Sequence, residues 1–166
     1  MHKPFRLILS TLCLLTAACS FNPNVQGKGE EYLQGEWQQD STPVQKQLLS
    51  YSLYKFKFTC DSFFVQQQTI SKINYGTDSC TKSGRWTEYM GGTYKQQHDT
   101  LFLKGFFTNA DYSLKELGGC LRSGDYKEFF KVNKQSDSVL QLTGTASLIP
   151  VNIHLINKLT CKVKPL

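Results

Sequence analysis

Apolar and polar residues alternate with a period of two along most of the chain after Leu33. In the segment 54–59, aromatic residues at the even positions alternate with two lysines and a threonine at the odd positions. Successive side chains of a β-strand point to opposite faces, so this pattern predicts a strand with one face on a core and the other in water. Eight further segments are predicted strands on the same grounds: 35–39, 62–69, 84–89, 93–97, 100–108, 126–132, 139–146 and 149–155.

Two of the connections between these segments are predicted to be tight turns. Met90-Gly91-Gly92 separates the strands 84–89 and 93–97, and its glycines suit the backbone of a hairpin turn. His98-Asp99 separates the next two strands in the same way. Turns this short join antiparallel neighbours, so the strands are expected to pair in chain order.

One interior segment, 111–117, has a helical signature. Ser113 and Glu116 have the spacing of a capping box, and two following glycines can supply a left-handed stop. The segment 71–80 is rich in turn residues and is predicted to be a surface loop. The segment 155–161 is compatible with either a last strand or a short helix.

The number of strands decides the fold class. Eight or nine short antiparallel strands in a domain of about 135 residues must hide their edges, and a closed barrel does so completely. We therefore expect an all-β, up-and-down barrel of about eight strands with one short helix, and the alternative is a β-sandwich.

The amino terminus has the three regions of a secretory signal. Basic His2, Lys3 and Arg6 precede an apolar run, 7–15, and small residues stand directly before Cys19. The apolar run is shorter than the roughly 20 residues that a membrane-crossing helix needs. It is therefore interpreted as an export signal and not as a permanent membrane span.

The end of this signal, Leu-Thr-Ala-Ala-Cys at 15–19, resembles the bacterial lipobox. The resemblance implies cleavage before Cys19 and acylation of its thiol and its freed amine, and multiple acyl chains give stable membrane attachment. On this interpretation the chain divides into a lipoprotein signal peptide at 1–18, a lipidated cysteine with a flexible tether at 19–31, and a folded domain at 32–166.

The residue after Cys19 bears on which membrane holds the anchor. Ser20 follows Cys19 at the position where an aspartate would resemble an inner-membrane retention signal, so the chain is expected at the outer membrane of a bacterial envelope. The alternative is an ordinary cleaved signal, which would release a soluble product.

Four cysteines remain once Cys13 in the signal and the anchor Cys19 are set aside: Cys60, Cys80, Cys120 and Cys161. An even number in an oxidising compartment predicts two disulfides, and four cysteines allow three pairings. The sequence favours Cys60 with Cys80, which closes a loop between two predicted strands, and Cys120 with Cys161. A metal or redox site would need close spacing such as Cys-x-x-Cys, which the sequence lacks, so no metal is expected.

Two segments resemble lipocalins and bacterial lipocalin-like lipoproteins. Gly35-Glu36-Trp37 matches the Gly-x-Trp opening of that family, and the segment 92–105 is similar to the paired middle strands of its bacterial members. The resemblance implies a barrel whose floor is closed by Trp37.

The distribution of charge and the positions of the histidines narrow the range of possible functions. The formal net charge of the whole chain is +6, and the lysines are scattered singly between apolar residues, as on solvated strand faces and unlike the clusters of a nucleic-acid surface. His98 is expected to be exposed in its turn, and His154 to lie at a surface or rim. Neither forms a zinc-ligand motif with a second histidine.

We therefore expect a non-catalytic protein without a cofactor, which binds a small apolar ligand at the open end of the barrel or binds a partner protein. An interior cavity of roughly 300 Å³ would favour ligand binding. A packed interior would favour a structural or interaction module, with outward rings contributed by three doublets: Phe63-Phe64, Phe106-Phe107 and Phe129-Phe130.

A third alternative is a small hydrolase or lyase. It would use two of the four carboxylates that lie close together in the sequence: Asp111, Glu116, Asp125 and Glu128. Such an enzyme needs two of these groups to converge in a cleft with a raised pKa.

Overall fold

Eight antiparallel strands form a closed barrel in the computed structural model, which describes residues 26–73, 80–119, 121–145 and 149–163. Each strand pairs with its neighbours in chain order, and the last pairs with the first. The predicted up-and-down barrel is confirmed, and the sandwich is excluded. The strands are β1 Gly35–Gln39, β2 Ser50–Thr59, β3 Ser62–Ser71, β4 Arg85–Gln97, β5 Thr100–Thr108, β6 Asp125–Lys134, β7 Val139–Gly144 and β8 Val151–Lys158.

The two ends of the barrel differ. Short turns after β2, β4 and β6 lie at one end, the closed end, together with the start of β1 and the end of β8. The longer connections after β1, β3, β5 and β7 lie at the other end, the mouth. The segment 155–161 therefore begins as strand, since β8 continues to Lys158.

The prediction of a turn at Met90-Gly91-Gly92 is wrong, because these residues lie inside β4, whose 13 residues run without interruption. Met90, Gly92 and Tyr94 share the inward face, so the period of two continues through the glycines. Glycine is required at position 92 because a side chain there would collide with the backbone of β5. A Cβ on Gly92 would stand 2.3 Å from the Lys104 carbonyl oxygen, and one on Gly105, its partner in β5, would stand 2.0 Å from the Gly91 carbonyl oxygen.

The helix predicted at 111–117 is also wrong. Asp111 accepts hydrogen bonds from the backbone N–H and the hydroxyl of Ser113, and the Asn109 N–H donates to the Ser113 carbonyl oxygen. These local bonds satisfy the backbone in a turn and compete with a helix. Tyr112 has a φ of 64°, which also breaks a helical path.

The short helix lies instead at Pro43–Gln47, named α1, between β1 and β2. Thr42 caps it: the Gln45 N–H donates to the Thr42 hydroxyl over 3.2 Å, and the Thr42 N–H donates to the Gln45 side-chain oxygen over 3.0 Å. This is a reciprocal capping box with proline at the first helical position. The helix brings Gln45 to the mouth of the barrel.

The interior of the closed end is packed with apolar side chains. Trp37 is 1% exposed, and its indole N–H donates to the Leu33 carbonyl oxygen over 2.8 Å. Leu33 ends a 3₁₀ turn, Glu31–Leu33, directly before β1. The inward residues around Trp37 leave the lower barrel without space for a ligand: Phe56, Phe58, Phe63, Val65, Met90, Tyr94, Leu101, Leu103, Phe130, Leu140, Leu142 and Ile153.

A buried glutamine joins the amino-terminal segment to the closed end. The Gln34 side chain donates to the Cys60 carbonyl oxygen and accepts from the Cys60 N–H, and it also donates to the Tyr94 hydroxyl. Earlier in the chain, the Gly27 N–H donates to Asp61 over 2.8 Å, and the Glu30 N–H donates to Tyr94. Of the predicted tether at 19–31, the part that the structure describes is thus bound to the barrel, and residues 19–25 lie outside the described residues.

The favoured disulfide pairing is wrong, because Cys60 is bonded to Cys161. Cys60 lies in the turn between β2 and β3, and the chain returns to this same end after β8. Cys80 lies beyond the far end of β3, a strand of ten residues that spans about 33 Å. Cys80 is disulfide-bonded as well, and Cys120 lies outside the described residues.

We expect Gly92→Ala to lower the free energy of unfolding by about 3 kcal/mol, because its Cβ would collide with backbone atoms of β5. Gly91→Ala is the matched control. Its Cβ would meet the Phe64 ring at 3.5 Å, an ordinary contact, so we expect a change within about 1 kcal/mol. Urea unfolding of both variants measures the difference, and equal losses would contradict the requirement for glycine at position 92.

Candidate functional site

The rim of the barrel is lower on one side of the mouth. β2 and β6 have ten residues each, whereas β1 has five, β7 has six and β8 has eight. The pairing of β2 with β1 ends at Lys55, and the pairing of β6 with β7 ends at Phe130. The upper halves of β2 and β6 therefore stand free of these neighbours and leave an opening between them.

A cavity of about 290 Å³, the mouth cavity, lies in this opening. Inward residues of β2, β6 and β8 line it together with α1 and the connection after β7. The described lining consists of Gln45, Leu48, Tyr51, Ser52, Tyr54, Glu128, Phe130, Gly144, Ile149 and Val151. The cavity therefore has aromatic and aliphatic walls and a smaller number of polar groups, which is the composition of a small-molecule site.

An ion pair lies beside this region in the upper barrel. Glu88 of β4 points inward and is 7% exposed, and its carboxylate accepts from the Arg122 guanidinium at 2.7 Å and 2.9 Å. The Arg122 N–H also donates to Glu88, and Gln67 accepts from the guanidinium over 3.1 Å. The guanidinium lies 4.7 Å from the centre of the Phe107 ring. Arg122 thereby fastens the connection between β5 and β6 to the barrel.

Two phenols of the upper barrel are held in their neutral form. Burial raises the pKa of Tyr126 above its usual range, and the negative charge of Glu128 raises it further. Burial likewise raises the pKa of Tyr54, reinforced by Glu128 and Glu88 and opposed by Arg122. Both hydroxyls are therefore protonated at neutral pH and can donate as well as accept hydrogen bonds.

Glu128 is the acidic group of the mouth cavity. It shares the inward face of β6 with Tyr126 and Phe130, while Lys127 points to solvent. One of its carboxylate oxygens accepts from the Phe129 N–H over 3.0 Å. The salt bridges formed by the described residues do not include Glu128.

A second, smaller cavity of about 200 Å³ lies under the connection between β5 and β6. Thr108, Lys115 and Arg122 are among its lining residues. Thr108 is 7% exposed, and its hydroxyl is the one buried side-chain polar atom of the described chain that lacks a hydrogen-bond partner. Lys115 donates to the Arg122 carbonyl oxygen over 3.0 Å and so closes one wall of this cavity.

His98 and His154 are not among the described residues that line the mouth cavity. His98 is exposed in the turn between β4 and β5, as predicted, with a φ of 54°. His154 of β8 is 38% exposed and lies 3.4 Å from the Asp40 carboxylate at the rim. His98 lies in a turn and His154 in a strand, and they do not form a pair.

The four carboxylates that the sequence grouped together are separated in the structure. Asp111, Glu116 and Asp125 are exposed, and Glu128 alone is among the described lining of the mouth cavity. The hydroxyl and the N–H of Ser113 lower the pKa of Asp111, the opposite of the shift that a general acid needs. The buried acid of this region is Glu88, which the sequence search missed. It lay in the predicted strand 84–89, but its partner Arg122 is 34 residues later in the chain, so the sequence did not indicate a buried ion pair.

The aromatic doublets each place one ring inside and one outside the barrel, as predicted. Phe63, Phe107 and Phe130 are buried. Outside, the ring of Tyr112 covers Phe64, with 4.9 Å between the ring centres. Phe106 remains 47% exposed and Phe129 40% exposed.

Among the residues that the structure describes, no group of three or more His, Cys, Asp or Glu side chains could hold a metal ion. The described helices include none that is long and apolar enough to span a bilayer. No family model, curated protein or solved structure matches the chain. The fold and the mouth cavity define the class: an eight-stranded, lipocalin-like β-barrel with an opening at one end.

We expect Arg122→Met to lower the free energy of unfolding by about 2 kcal/mol, because it leaves the buried Glu88 carboxylate without its partner. Lys131→Met is the control. It removes an ion pair with Asp99 whose side chains are 73% and 61% exposed, so the expected change is within about 0.5 kcal/mol. Urea unfolding measures both, and the double variant Glu88→Met/Arg122→Met should recover part of the loss. An Arg122 effect no larger than the control would show that the pair adds little.

Proposed function

We propose that this chain is a non-catalytic envelope lipoprotein whose barrel binds a small, largely apolar ligand in the mouth cavity. The observation that carries the binding function is the cavity itself, about 290 Å³ in the low side of an otherwise packed barrel. Its volume is near the roughly 300 Å³ at which small-molecule sites begin. Leu48, Phe130 and Val151 supply apolar walls for such a ligand.

Binding is favoured over catalysis by the groups that face the cavity. Glu128 is the single carboxylate among its described lining residues, so a mechanism with paired carboxylates lacks its second acid there. The apolar walls of the cavity can contact the body of an apolar ligand, and its few polar groups can orient that ligand. We propose no cofactor for this site.

The lipid anchor is supported by the sequence 15–19, which resembles the lipobox, and Ser20 favours the outer membrane. The anchor also gives the barrel an orientation. Cys19 precedes Gln26 by seven residues, which span at most about 25 Å, and Gln26 is hydrogen-bonded to Ser62 at the closed end. With this anchor, the closed end would face the membrane and the mouth would face away from it.

A second candidate is an interaction module that contacts an envelope protein. Phe102 and Phe129 form an edge-to-face pair on the outside of β5 and β6, with ring centres 5.3 Å apart. Phe106, on the same outer face of β5, is also exposed. Exposed rings grouped in this way are typical of contact surfaces.

The anchor can be tested by the mass of the protein extracted from membranes with detergent. We expect a chain that begins at Cys19, carries three acyl chains and contains two disulfides. A Cys19→Ser variant should appear without acyl mass and in the soluble fraction. A wild-type chain without acyl mass would contradict the anchor and leave an ordinary secreted protein.

Ligand binding can be tested with N-phenyl-1-naphthylamine, a neutral apolar fluorophore. We expect one equivalent to bind the wild-type barrel, and Val151→Trp to abolish binding because the indole occupies the mouth cavity. Asn152→Trp is the matched control, since Asn152 is the next residue of β8 and is exposed. Binding that survives Val151→Trp, or that is absent from the wild type, would contradict the proposed site.

A further inference from the structure

We infer that the mouth cavity selects ligands that carry a positive charge on an apolar body, and that the Glu128 carboxylate is the counter-ion. This inference rests on the proposed function, because it names the chemical class of the ligand for the same cavity. It depends on three features: an unpaired carboxylate, the placement of the nearby cations, and the aromatic walls.

The Glu128 carboxylate lies in the cavity, and the ion pairs of the described residues give it no cationic partner. Its inward position on β6 places the side chain between Tyr126 and Phe130, and the donor that the described residues supply to it is the Phe129 N–H. A carboxylate that is partly withdrawn from water loses hydration energy unless an opposite charge compensates it. A ligand with an ammonium group would supply that charge.

The cations around the mouth are already engaged or point away. Arg122 is bound at two of its nitrogen atoms by Glu88, and the Lys72 ammonium donates to the Lys46 carbonyl oxygen over 2.7 Å. Lys55 and Lys127 lie on the outward faces of β2 and β6 and are exposed. Among the described lining residues of the cavity, Glu128 is the one charged side chain, so the charge within the cavity wall is negative.

The walls suit a cation with an apolar body. Tyr54 and Phe130 line the cavity beside Glu128, and the ring of Tyr54 stacks on Phe56 with 5.7 Å between their centres. The negative face of an aromatic ring attracts an ammonium group, and the attraction grows where water is excluded. Leu48 and Val151 would contact the remainder of the ligand. A carboxylate, aromatic rings and aliphatic side chains thus meet in one cavity.

The test uses three probes that share a benzyl group. Benzyltrimethylammonium is a cation, neopentylbenzene is its neutral isostere, and phenylacetate is an anion. Calorimetric titration of the wild-type protein should give at least about tenfold tighter binding of the cation than of the neutral probe. The anion should bind more weakly than either.

Glu128→Gln should reduce the preference for the cation to the roughly two- to fivefold that the aromatic walls alone supply, while neopentylbenzene binds as it does to the wild type. Unchanged neopentylbenzene binding also shows that the variant has folded. Glu116→Gln is the control, since Glu116 is an exposed acid on the connection between β5 and β6 and should leave all three affinities unchanged.

The possible outcomes separate this inference from the proposed function. Equal binding of the cation and the neutral probe to the wild type, or a preference for the cation that is undiminished in Glu128→Gln, would overturn the inference and leave the ligand site standing. Absence of binding by all three probes and by N-phenyl-1-naphthylamine would overturn the proposed function as well.

Discussion

The pairing of β1 with β8 is the constraint on which the rest of the structure depends, because it removes the two free edges of the sheet. β1 contributes five residues to this pairing, with an irregularity between Glu36 and Trp37 where the register shifts. A shorter sheet edge is easier to close, but a short β1 cannot follow β2 to its upper end. The low rim and the mouth cavity are thus direct consequences of how the barrel closes. The same closure brings Cys161, after β8, to the turn that contains Cys60.

The interior divides into an apolar closed end and a more polar mouth, and this division decides where a ligand can be held. Large side chains such as Trp37, Phe58 and Met90 fill the lower barrel, and dense packing of this kind excludes both water and ligands. Toward the mouth the inward positions carry Gln67, Glu88 and Glu128. Buried polar groups are tolerated where they are paired, and Arg122 provides that pairing for Glu88. Glu128 has no such partner among the described residues.

The sequence predicted most of the strands because the alternation of apolar and polar residues survives wherever one face is buried and the other is wet. It failed where space and local hydrogen bonds decide the structure. Gly91-Gly92 has the composition of a turn, and only the close approach of β5 shows that Gly92 is needed for space inside a strand. Thr42 and Gln45 have the same capping-box spacing as Ser113 and Glu116, and spacing alone does not show which pair begins a helix. The pairing of Cys60 could not be predicted without knowing which end of the barrel each turn occupies.

The candidate site was harder to predict than the fold, because it depends on differences in strand length that alternation does not reveal. The sequence grouped Glu128 with three neighbouring acids, but Glu128 alone is among the described lining residues of the mouth cavity. Asp111 and Glu116 are near Glu128 along the chain but lie on the connection between β5 and β6. Glu128 lies instead at an inward position of the long strand β6, which brings its side chain to the cavity. A single acid among aromatic walls cannot carry out two-carboxylate chemistry, but it can compensate one positive charge. The geometry that weakens the case for catalysis therefore strengthens the case for selective binding.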